Sequence, residues 1–183
     1  YRGQRPRRLI TTLEQHLFSG ETRRAAVVIG PRQVGKTSLL YHLTERLLQR
    51  VEARNITYFD FSDDRLKHEP LPPRAIIEQL PSNWNADYPR FLLLDEIGHC
   101  TEWSAWLKQA VDKEDFRIIV TDSAANLLRL GGRESGVGRW DDYFLEGLDL
   151  REFIDLQTNE THTFSHILNN DQPYEKFLCI GGA

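Results

Sequence analysis

Residues 25–40 read Ala-Ala-Val-Val-Ile-Gly-Pro-Arg-Gln-Val-Gly-Lys-Thr-Ser-Leu-Leu, and they contain the strongest structural pattern in the chain. Its first part, Ala25 to Ile29, is apolar and ends at Gly30-Pro31, which is typical of a buried strand that runs into a tight turn. From Gly35 onward a helical pattern follows, with leucines on one face at positions 39, 40, 43, 47 and 48. The stretch therefore predicts a strand, a glycine-containing loop and a helix in direct succession.

The loop matches the pattern Gly-x-x-x-x-Gly-Lys-Thr, and its position between a buried strand and a helix is the one that a P-loop requires. Glycine permits close approach and unusual backbone angles, so consecutive amides can turn toward phosphates at the positive end of the helix. We expect Lys36 to reach the β- and γ-phosphates of ATP, and the Thr37 hydroxyl to bind Mg²⁺. The predicted phosphate-binding residues are Gly30, Pro31, Arg32, Gln33, Val34, Gly35, Lys36, Thr37 and Ser38.

A second apolar run, Phe91 to Leu94, ends at two acidic residues, Asp95 and Glu96. A continuous apolar run suits a strand that is buried on both faces of a parallel sheet. Taken alone, the run indicates no more than a strand followed by a polar turn. Beside a P-loop it is typical of a Walker B segment, in which Asp95 holds Mg²⁺ and Glu96 orients and deprotonates the attacking water.

A third buried strand, Phe116 to Val120, continues into Thr121-Asp122-Ser123. ATPases with a catalytic glutamate place a polar residue at the end of the strand between the P-loop and Walker B strands, where it helps to position the water. Ser123 is our first choice for this role and Thr121 the second. Alternatively, these hydroxyls cap the helix that follows, since Ser and Thr are favoured at that position.

The remaining pattern alternates strands with helices. We predict further strands at 56–61 and 143–148, helices at 75–80, 102–111 and 124–130, and a loop at 131–138. Trp103 and Trp106 lie at helical spacing, which favours core packing over base stacking. Such alternation implies βαβ units, so we predict an α/β fold: a three-layer αβα P-loop NTPase core with a mostly parallel five-stranded sheet.

Composition narrows the class of protein. The chain has 183 residues, 40% of them hydrophobic, which fits a single domain with a substantial core. Because no segment resembles a signal peptide or a membrane span, we expect a cytoplasmic protein with no membrane contact. Cys100 and Cys179 form neither a disulfide framework nor a zinc motif. A net charge of −4 argues against a protein that coats nucleic acid.

The N-terminus carries a cluster of arginines, at positions 2, 5, 7 and 8. Its simplest interpretation is a solvated arm, and the alternative is a contact with nucleotide or nucleic acid.

These motifs together resemble one family, the prokaryotic AAA+-like ATPases with a Gly-Pro-Arg-Gln-Val-Gly-Lys-Thr P-loop and a separate C-terminal domain. Residues 93–97, 120–124, 135–139 and 148–153 are similar, in the same order, to the family's Walker B, Thr-Gly-Ser-Ser-Ala, Ser-Leu-x-Gly-Arg and Pro-Leu-Ser-x-x-Glu-Phe segments. Two positions depart from the family pattern. Asp122 stands where glycine is common, and Gly98-His99 replaces a commoner glutamine.

The resemblance implies further features. Arg139 becomes a candidate arginine finger that acts in cis or, in a homo-oligomer, in trans on a neighbouring subunit. A surface ion pair of Arg139 with Asp141 or Asp142 is the alternative. Residues 1–156 would form the P-loop ATPase core and residues 157–183 the start of a truncated C-terminal lid region. The chain contains no methionine, so we expect further segments, which would include the effector domain and any nucleic-acid contact.

Four functions follow as hypotheses. The leading one is ATP hydrolysis with Mg²⁺ that drives a conformational change in an attached domain or a partner. A P-loop kinase for small molecules is less consistent with the sequence, which lacks an evident second substrate site. A GTP switch would carry Asn-Lys-x-Asp, and this tetrapeptide is absent. A nucleotide-sensing interaction module that binds ATP with little turnover remains open.

Overall fold

The computed structural model describes residues 6–19, 24–63, 73–78, 80, 83–100, 102–113, 115–123 and 138–158. Within these ranges helices and strands alternate along most of the chain. In chain order they are α1 (Leu9–Phe18), β1 (Ala25–Gly30), α2 (Lys36–Leu47), β2 (Ile56–Asp60), α3 (Pro73–Glu78), β3 (Arg90–Asp95), α4 (Trp103–Lys113), β4 (Phe116–Ser123), β5 (Trp140–Phe144) and α5 (Leu150–Thr158). Two short 3-10 helices, Ala53–Asn55 and Ile97–His99, precede β2 and follow β3.

The five strands form one parallel sheet in the order β2-β3-β4-β1-β5. This arrangement confirms the predicted α/β class and the predicted parallel sheet. Strand β4 lies between β1 and β3, so the polar end of β4 adjoins both the glycine loop and the acidic pair. In the register of the sheet, Gly30 lies opposite Ser123 and Leu94 opposite Val120.

The middle parts of the central strands β3, β4 and β1 are apolar because these strands are covered on both faces. Alternate side chains of β1 point into two separate cores: Val27 packs with residues of α4, and Val28 packs with residues of α1 and α2. Every residue of β1 is buried. Trp103 is 6% exposed in the first of these cores, which confirms its predicted packing role. Two cores on opposite faces of one sheet make the predicted three layers.

Three predicted elements differ from the structure. Strand β5 begins at Trp140, earlier than the predicted 143, because Trp140 pairs with Ala25 and packs its ring against Trp103. Acidic residues after Trp140 hide this edge strand from a hydrophobicity pattern. Leu48 is 50% exposed rather than on the buried face, since α2 ends at Leu47. The short helix near residue 75 begins two residues earlier, at Pro73.

Helix α1 is absent from the predicted elements, although Ile10, Leu13 and Leu17 occur at helical spacing and are buried. The predicted helix at 124–130, most of the predicted loop at 131–138 and residues 159–183 lie outside the described residues. Among the helices that the structure describes, none combines the length and apolarity needed to cross a membrane.

Candidate functional site

The phosphate-loop motif joins β1 to α2 at the carboxyl edge of the sheet. Its backbone turns sharply at two residues in the left-handed region, Gln33 with φ 63° and Gly35 with φ 101°. Left-handed residues among right-handed ones can turn successive N–H groups toward the same side, which forms a concavity suited to anions. Gln33 is a non-glycine in this conformation, and such strain is concentrated at ligand-binding loops.

The two glycines of the motif are needed for different reasons. At Gly35 the reason is conformational, because the left-handed backbone at the start of α2 disfavours a side chain. At Gly30 the reason is space, since a Cβ there would lie 2.3 Å from the carbonyl oxygen of Leu145. The Leu145 N–H in turn donates to the Ile29 carbonyl at 2.8 Å, so the residue after β5 packs directly against the start of the loop.

The Lys36 side chain contacts both the start of this loop and the acidic residue after β3. Its Nζ donates to the carbonyls of Gly30 at 3.2 Å and Pro31 at 2.9 Å, and it forms an ion pair with Glu96 Oε1 at 3.1 Å. The Lys36 side chain is 3% exposed, and the Glu96 side chain is 19% exposed. The structure thus brings together the predicted phosphate-binding lysine and the predicted general base, two residues that are 60 positions apart in sequence.

The acidic pair occupies the end of β3. Asp95 is 1% exposed and is the last residue of the strand. Glu96 takes a left-handed conformation, φ 49° and ψ 47°, so the chain turns at this residue and its side chain reaches Lys36. A left-handed glutamate is uncommon, and it gives the two neighbouring acids different surroundings.

Thr121 connects both acids to β4. Its Oγ1 donates a hydrogen bond to Asp95 Oδ1 and accepts the N–H of Glu96 at 2.9 Å. Ser123 is 1% exposed beside Gly30, and its Oγ has no hydrogen-bond partner within the described part of the chain. Thr121 therefore fixes the acids, whereas Ser123 offers an unused hydroxyl next to the phosphate loop. The helix that Ser123 would alternatively cap lies outside the described residues.

Tyr58 of β2 is a site residue that the sequence patterns did not single out. Its hydroxyl donates to Asp95 Oδ2 at 3.3 Å, and its ring packs against Tyr41 of α2 at 5.1 Å between centroids. Burial, then the hydrogen bond with Tyr41 and the negative charge of Asp95, raise the pKa of Tyr58 above its ordinary value. The only sequence signal was an aromatic residue on the strand that precedes the Walker B strand.

Arg139 lies away from the other predicted catalytic residues. Its carbonyl accepts the N–H of Ala25, at the amino end of β1, whereas the phosphate loop begins at the carboxyl end. At roughly 3.3 Å per residue, the two ends of β1 are about 16 Å apart. The guanidinium pairs with Asp112 of α4 at 2.9 Å, not with Asp141 or Asp142 as the alternative interpretation expected. This position does not support action in cis on the same chain's phosphate loop.

The donor set suits Mg²⁺. Asp95 offers a carboxylate, and Thr37, a partly exposed residue in the first turn of α2, offers a hydroxyl. Mg²⁺ commonly takes one or two protein ligands and completes its shell with phosphate oxygens and water. In the described ranges no group of three or more His, Cys, Asp or Glu residues could hold a metal by itself.

Comparisons with known proteins bear on the fold and the family. The family model described as AAA domain matches residues 22–154. No curated protein matches the chain. The structure of the S. cerevisiae Hsp104:casein complex in its extended conformation resembles this fold with a TM-score of 0.57 and 12% identity, over 84% of this chain and 29% of that chain.

A DNA polymerase III gamma subunit-related protein from Thermotoga maritima has a TM-score of 0.49 and 11% identity, over 80% of this chain and 49% of that chain. The chain thus spans less than a third of the length of the Hsp104 chain and about half of the Thermotoga chain. At 12% identity the likeness to Hsp104 shows the fold alone.

Proposed function

This chain belongs to the AAA domain family of P-loop ATPases, and from that premise we propose that it binds ATP with Mg²⁺ and hydrolyses it, driving a conformational change in an attached domain or a partner. The proposed phosphate-binding residues are those of the loop, from Gly30 to Ser38. The left-handed residues Gln33 and Gly35 support this assignment because they shape the loop for an anion. Its location before the N-terminus of α2 adds the favourable helix dipole.

One observation carries the proposal: Lys36 Nζ lies 3.1 Å from Glu96 Oε1. A γ-phosphate bound to Lys36 competes with Glu96 for the ammonium group. Glu96 is then released from its partner, and as a carboxylate it can accept a proton from the attacking water.

The residues that would hold Mg²⁺ are Asp95 and Thr37. When bound, the ion neutralises the charge that develops between the β- and γ-phosphates. Thr121 and Tyr58 contact the two oxygens of Asp95 and so fix the direction of its carboxylate. Such supporting contacts around a metal ligand commonly change metal affinity or activity by about 10- to 100-fold when they are removed.

The test compares ATP turnover and nucleotide retention in the wild type, Glu96→Gln and Lys36→Ala. We expect Glu96→Gln to keep ATP and Mg²⁺ bound while turnover falls by roughly 10²- to 10⁴-fold. Lys36→Ala should abolish binding, and unchanged ATP affinity in this variant would contradict the whole site assignment. If the wild type and Glu96→Gln bind ATP alike and neither turns it over, the hydrolase proposal fails and a nucleotide-sensing module takes its place.

The proposed partners follow from the same assignment. We propose a homo-oligomer in which Arg139 acts in trans, since it lies at the surface with its side chain 41% exposed. We also propose residues 1–156 as the ATPase core, with residues 157–183 beginning a lid region.

A further inference from the structure

Arg7 precedes α1 and joins three distant parts of the chain. Its Nη1 donates to the carbonyl of Val34 in the phosphate loop at 2.9 Å. Its Nη2 donates to the carbonyls of Glu146 and Gly147, between β5 and α5, at 2.8 and 3.3 Å. Its Nε and Nη2 both contact the carboxylate of Glu152 in α5, at 3.1 and 3.0 Å. This set of contacts is called the Arg7 junction below.

The charged side chains of the Arg7 junction are mostly shielded from solvent, which makes the junction unlike a solvated arm. The side chains of Arg7 and Glu152 are 11% and 12% exposed. A charged pair at this depth is stabilised only when its hydrogen-bonding capacity is filled, and here each nitrogen of the guanidinium has an acceptor. The solvated interpretation of the arginine cluster is therefore wrong for Arg7. Arg2 and Arg5 lie outside the described residues.

The contact with Val34 fixes the orientation of a loop amide. In a trans peptide the C=O of one residue and the N–H of the next are held in one plane and point in opposite directions. By holding the Val34 carbonyl, Arg7 directs the Gly35 N–H away from itself. In a phosphate loop the amide before the lysine is one of those that face the phosphates. Arg7 thus acts on the ligand through the Val34–Gly35 peptide, without touching the ligand.

The other side of the junction is α5. The buried apolar residues of this helix, Phe153 and Ile154, form a small cluster that is separate from the two main cores. Glu152 accepts hydrogen bonds from the Arg7 side chain and from the Arg8 N–H, at 3.1 Å in each case. Polar contacts with the segment before α1 therefore help to hold α5 in place.

We infer that Arg7 is a positioning residue that couples the phosphate loop to α5: it orients the Gly35 amide, and filling of the loop changes how firmly α5 is held. The second half of this statement rests on the proposed function, whereas the first half does not. Lysine cannot replace arginine here, because a single ammonium group lacks the planar fork that reaches Val34, Glu146 and Glu152 at once.

Arg8 provides the matched control. It is the next residue, carries the same charge and also faces α5, with its guanidinium 3.8 Å from Asp149 and 3.6 Å from Asp155. Its side chain is 47% exposed and makes no described contact with the phosphate loop. Arg8→Lys therefore makes the same replacement in the same segment, keeps the positive charge, and leaves the Val34 carbonyl bound to Arg7.

The first experiment uses the protein without nucleotide. In ¹H–¹⁵N spectra, Arg7→Lys should shift the Gly35 amide resonance strongly and speed hydrogen exchange at the Phe153 amide, whereas Arg8→Lys should leave the Gly35 resonance in place. Thermal unfolding of each variant establishes that it is folded. If Arg7→Lys is unfolded, Arg7→Gln takes its place in the experiment. A Gly35 resonance that is equally unmoved by both replacements overturns the positioning role, whether or not the chain binds ATP.

The second experiment adds Mg²⁺-ATP. Loss of a charge-assisted hydrogen bond to the loop should weaken ATP binding about tenfold in Arg7→Lys, and less than about twofold in Arg8→Lys. ATP should alter hydrogen exchange in α5 of the wild type and of Arg8→Lys, but not in Arg7→Lys at saturating ATP. An equal response of α5 in all three proteins overturns the coupling. Absence of ATP binding in the wild type refutes the proposed function and the coupling, while the Gly35 resonance still decides the positioning role.

Discussion

The carboxylate of Asp122 lies against the backbone of Gly98, where a Cβ would come within 2.4 and 2.5 Å of its two oxygens. Asp122 is fully buried, and its Oδ1 accepts the N–H of Ser123 at 2.7 Å. Asp122 is one of the two departures from the family pattern, and Gly98 belongs to the other, the pair Gly98-His99. The contact relates Asp122 to Gly98, because the carboxylate at 122 occupies the space that a larger residue at 98 would need.

We predict that Gly98→Ala and Asp122→Ala are not additive. Gly98→Ala forces the carboxylate to move and should lower the free energy of unfolding by about 1–3 kcal/mol. In the double variant the methyl group finds the space vacated by the carboxylate, so at least half of that loss should disappear. Urea unfolding of the wild type, the two single variants and the double variant measures the coupling energy between Gly98 and Asp122.

Gly147→Ala is the control for this cycle. A Cβ at Gly147 meets nothing within 4 Å, so this replacement should change the free energy of unfolding by less than about 0.5 kcal/mol. If the losses of free energy of unfolding in the two single variants add up to the loss in the double variant, Gly98 and Asp122 do not compete for space.

Thr121→Val should remove the hydrogen bonds that hold Asp95 and Glu96 without changing the shape of the core. The replacement removes the Thr121 donor from Asp95 Oδ1, while Tyr58 still contacts Oδ2, and it leaves the Glu96 N–H without its acceptor. We expect Mg²⁺-dependent ATP turnover to fall about 10- to 100-fold, and stability to fall by roughly 1–3 kcal/mol. Thr121→Ser restores the hydroxyl and should recover most of the turnover; if it recovers none, the hydroxyl is not what matters.

Ser123→Ala should lower ATP turnover without lowering the free energy of unfolding. The Ser123 hydroxyl is buried and has no hydrogen-bond partner in the described part of the chain, so its loss should not lower the free energy of unfolding. If Ser123 positions the attacking water, kcat falls while the Kd for ATP stays the same. Unchanged kcat in Ser123→Ala would exclude Ser123 from this role.

Tyr58 should make the protein less stable at alkaline pH. Its pKa is raised in the folded state, chiefly by burial, so the folded state keeps a proton that the unfolded state loses above the ordinary value of 10.0. The stabilisation is fully present below that pH and is lost as the pH rises above it. Urea unfolding should therefore show a smaller alkaline loss of stability in Tyr58→Phe than in the wild type. An identical pH profile would contradict the raised pKa.

Cys100 should resist thiol reagents in the folded protein. Burial raises the pKa of its thiol to about 12, and its residue is 7% exposed. The thiolate is the reactive form, so modification at pH 8 should be slow until urea unfolds the chain. Cys179→Ser removes the second thiol and leaves Cys100 as the only one to be counted. Rapid modification of this variant without urea would contradict the burial of Cys100.

Arg139 in trans predicts complementation between two inactive variants. Lys36→Ala lacks the phosphate-binding lysine and Arg139→Ala lacks the proposed finger, so each alone should have little turnover. In an equal mixture about half of the subunits have an intact phosphate loop, and about half of their neighbours have an intact Arg139. About a quarter of the interfaces therefore combine both groups, so the mixture should regain about a quarter of the wild-type rate. Asp112→Asn, which removes the ion-pair partner of Arg139, should retain activity. No recovery in a mixture that exchanges subunits would exclude the trans role.

The sequence predicted the centre of the fold well because that part is specified locally. Strands β1 and β3 are buried on both faces, so nearly every residue in them is apolar and their limits are visible as a run. The loop after β1 needs glycine at particular backbone positions, and this requirement also appears in the sequence itself.

The edges of the fold were harder to predict. Strand β5 has partly exposed residues and two acids near its start, so its hydrophobic pattern is weak. Helix α1 shows helical spacing of buried residues, yet nothing in the sequence says which face of the sheet it covers. Pairing and packing with other elements decide such segments, and these are not local properties.

The order of strand, phosphate loop and helix, the acids that end a neighbouring strand, and the hydroxyls at the end of a third could all be predicted from the sequence. The partners of the side chains became visible in the folded structure: Thr121 for Asp95, Gly98 for Asp122, Arg7 for Val34, and Asp112 rather than a phosphate for Arg139. The two kinds of information differ in how far along the chain they depend on other residues. Backbone conformation depends on a few adjacent residues, whereas a side chain's partner depends on which strands and helices the folded sheet places side by side.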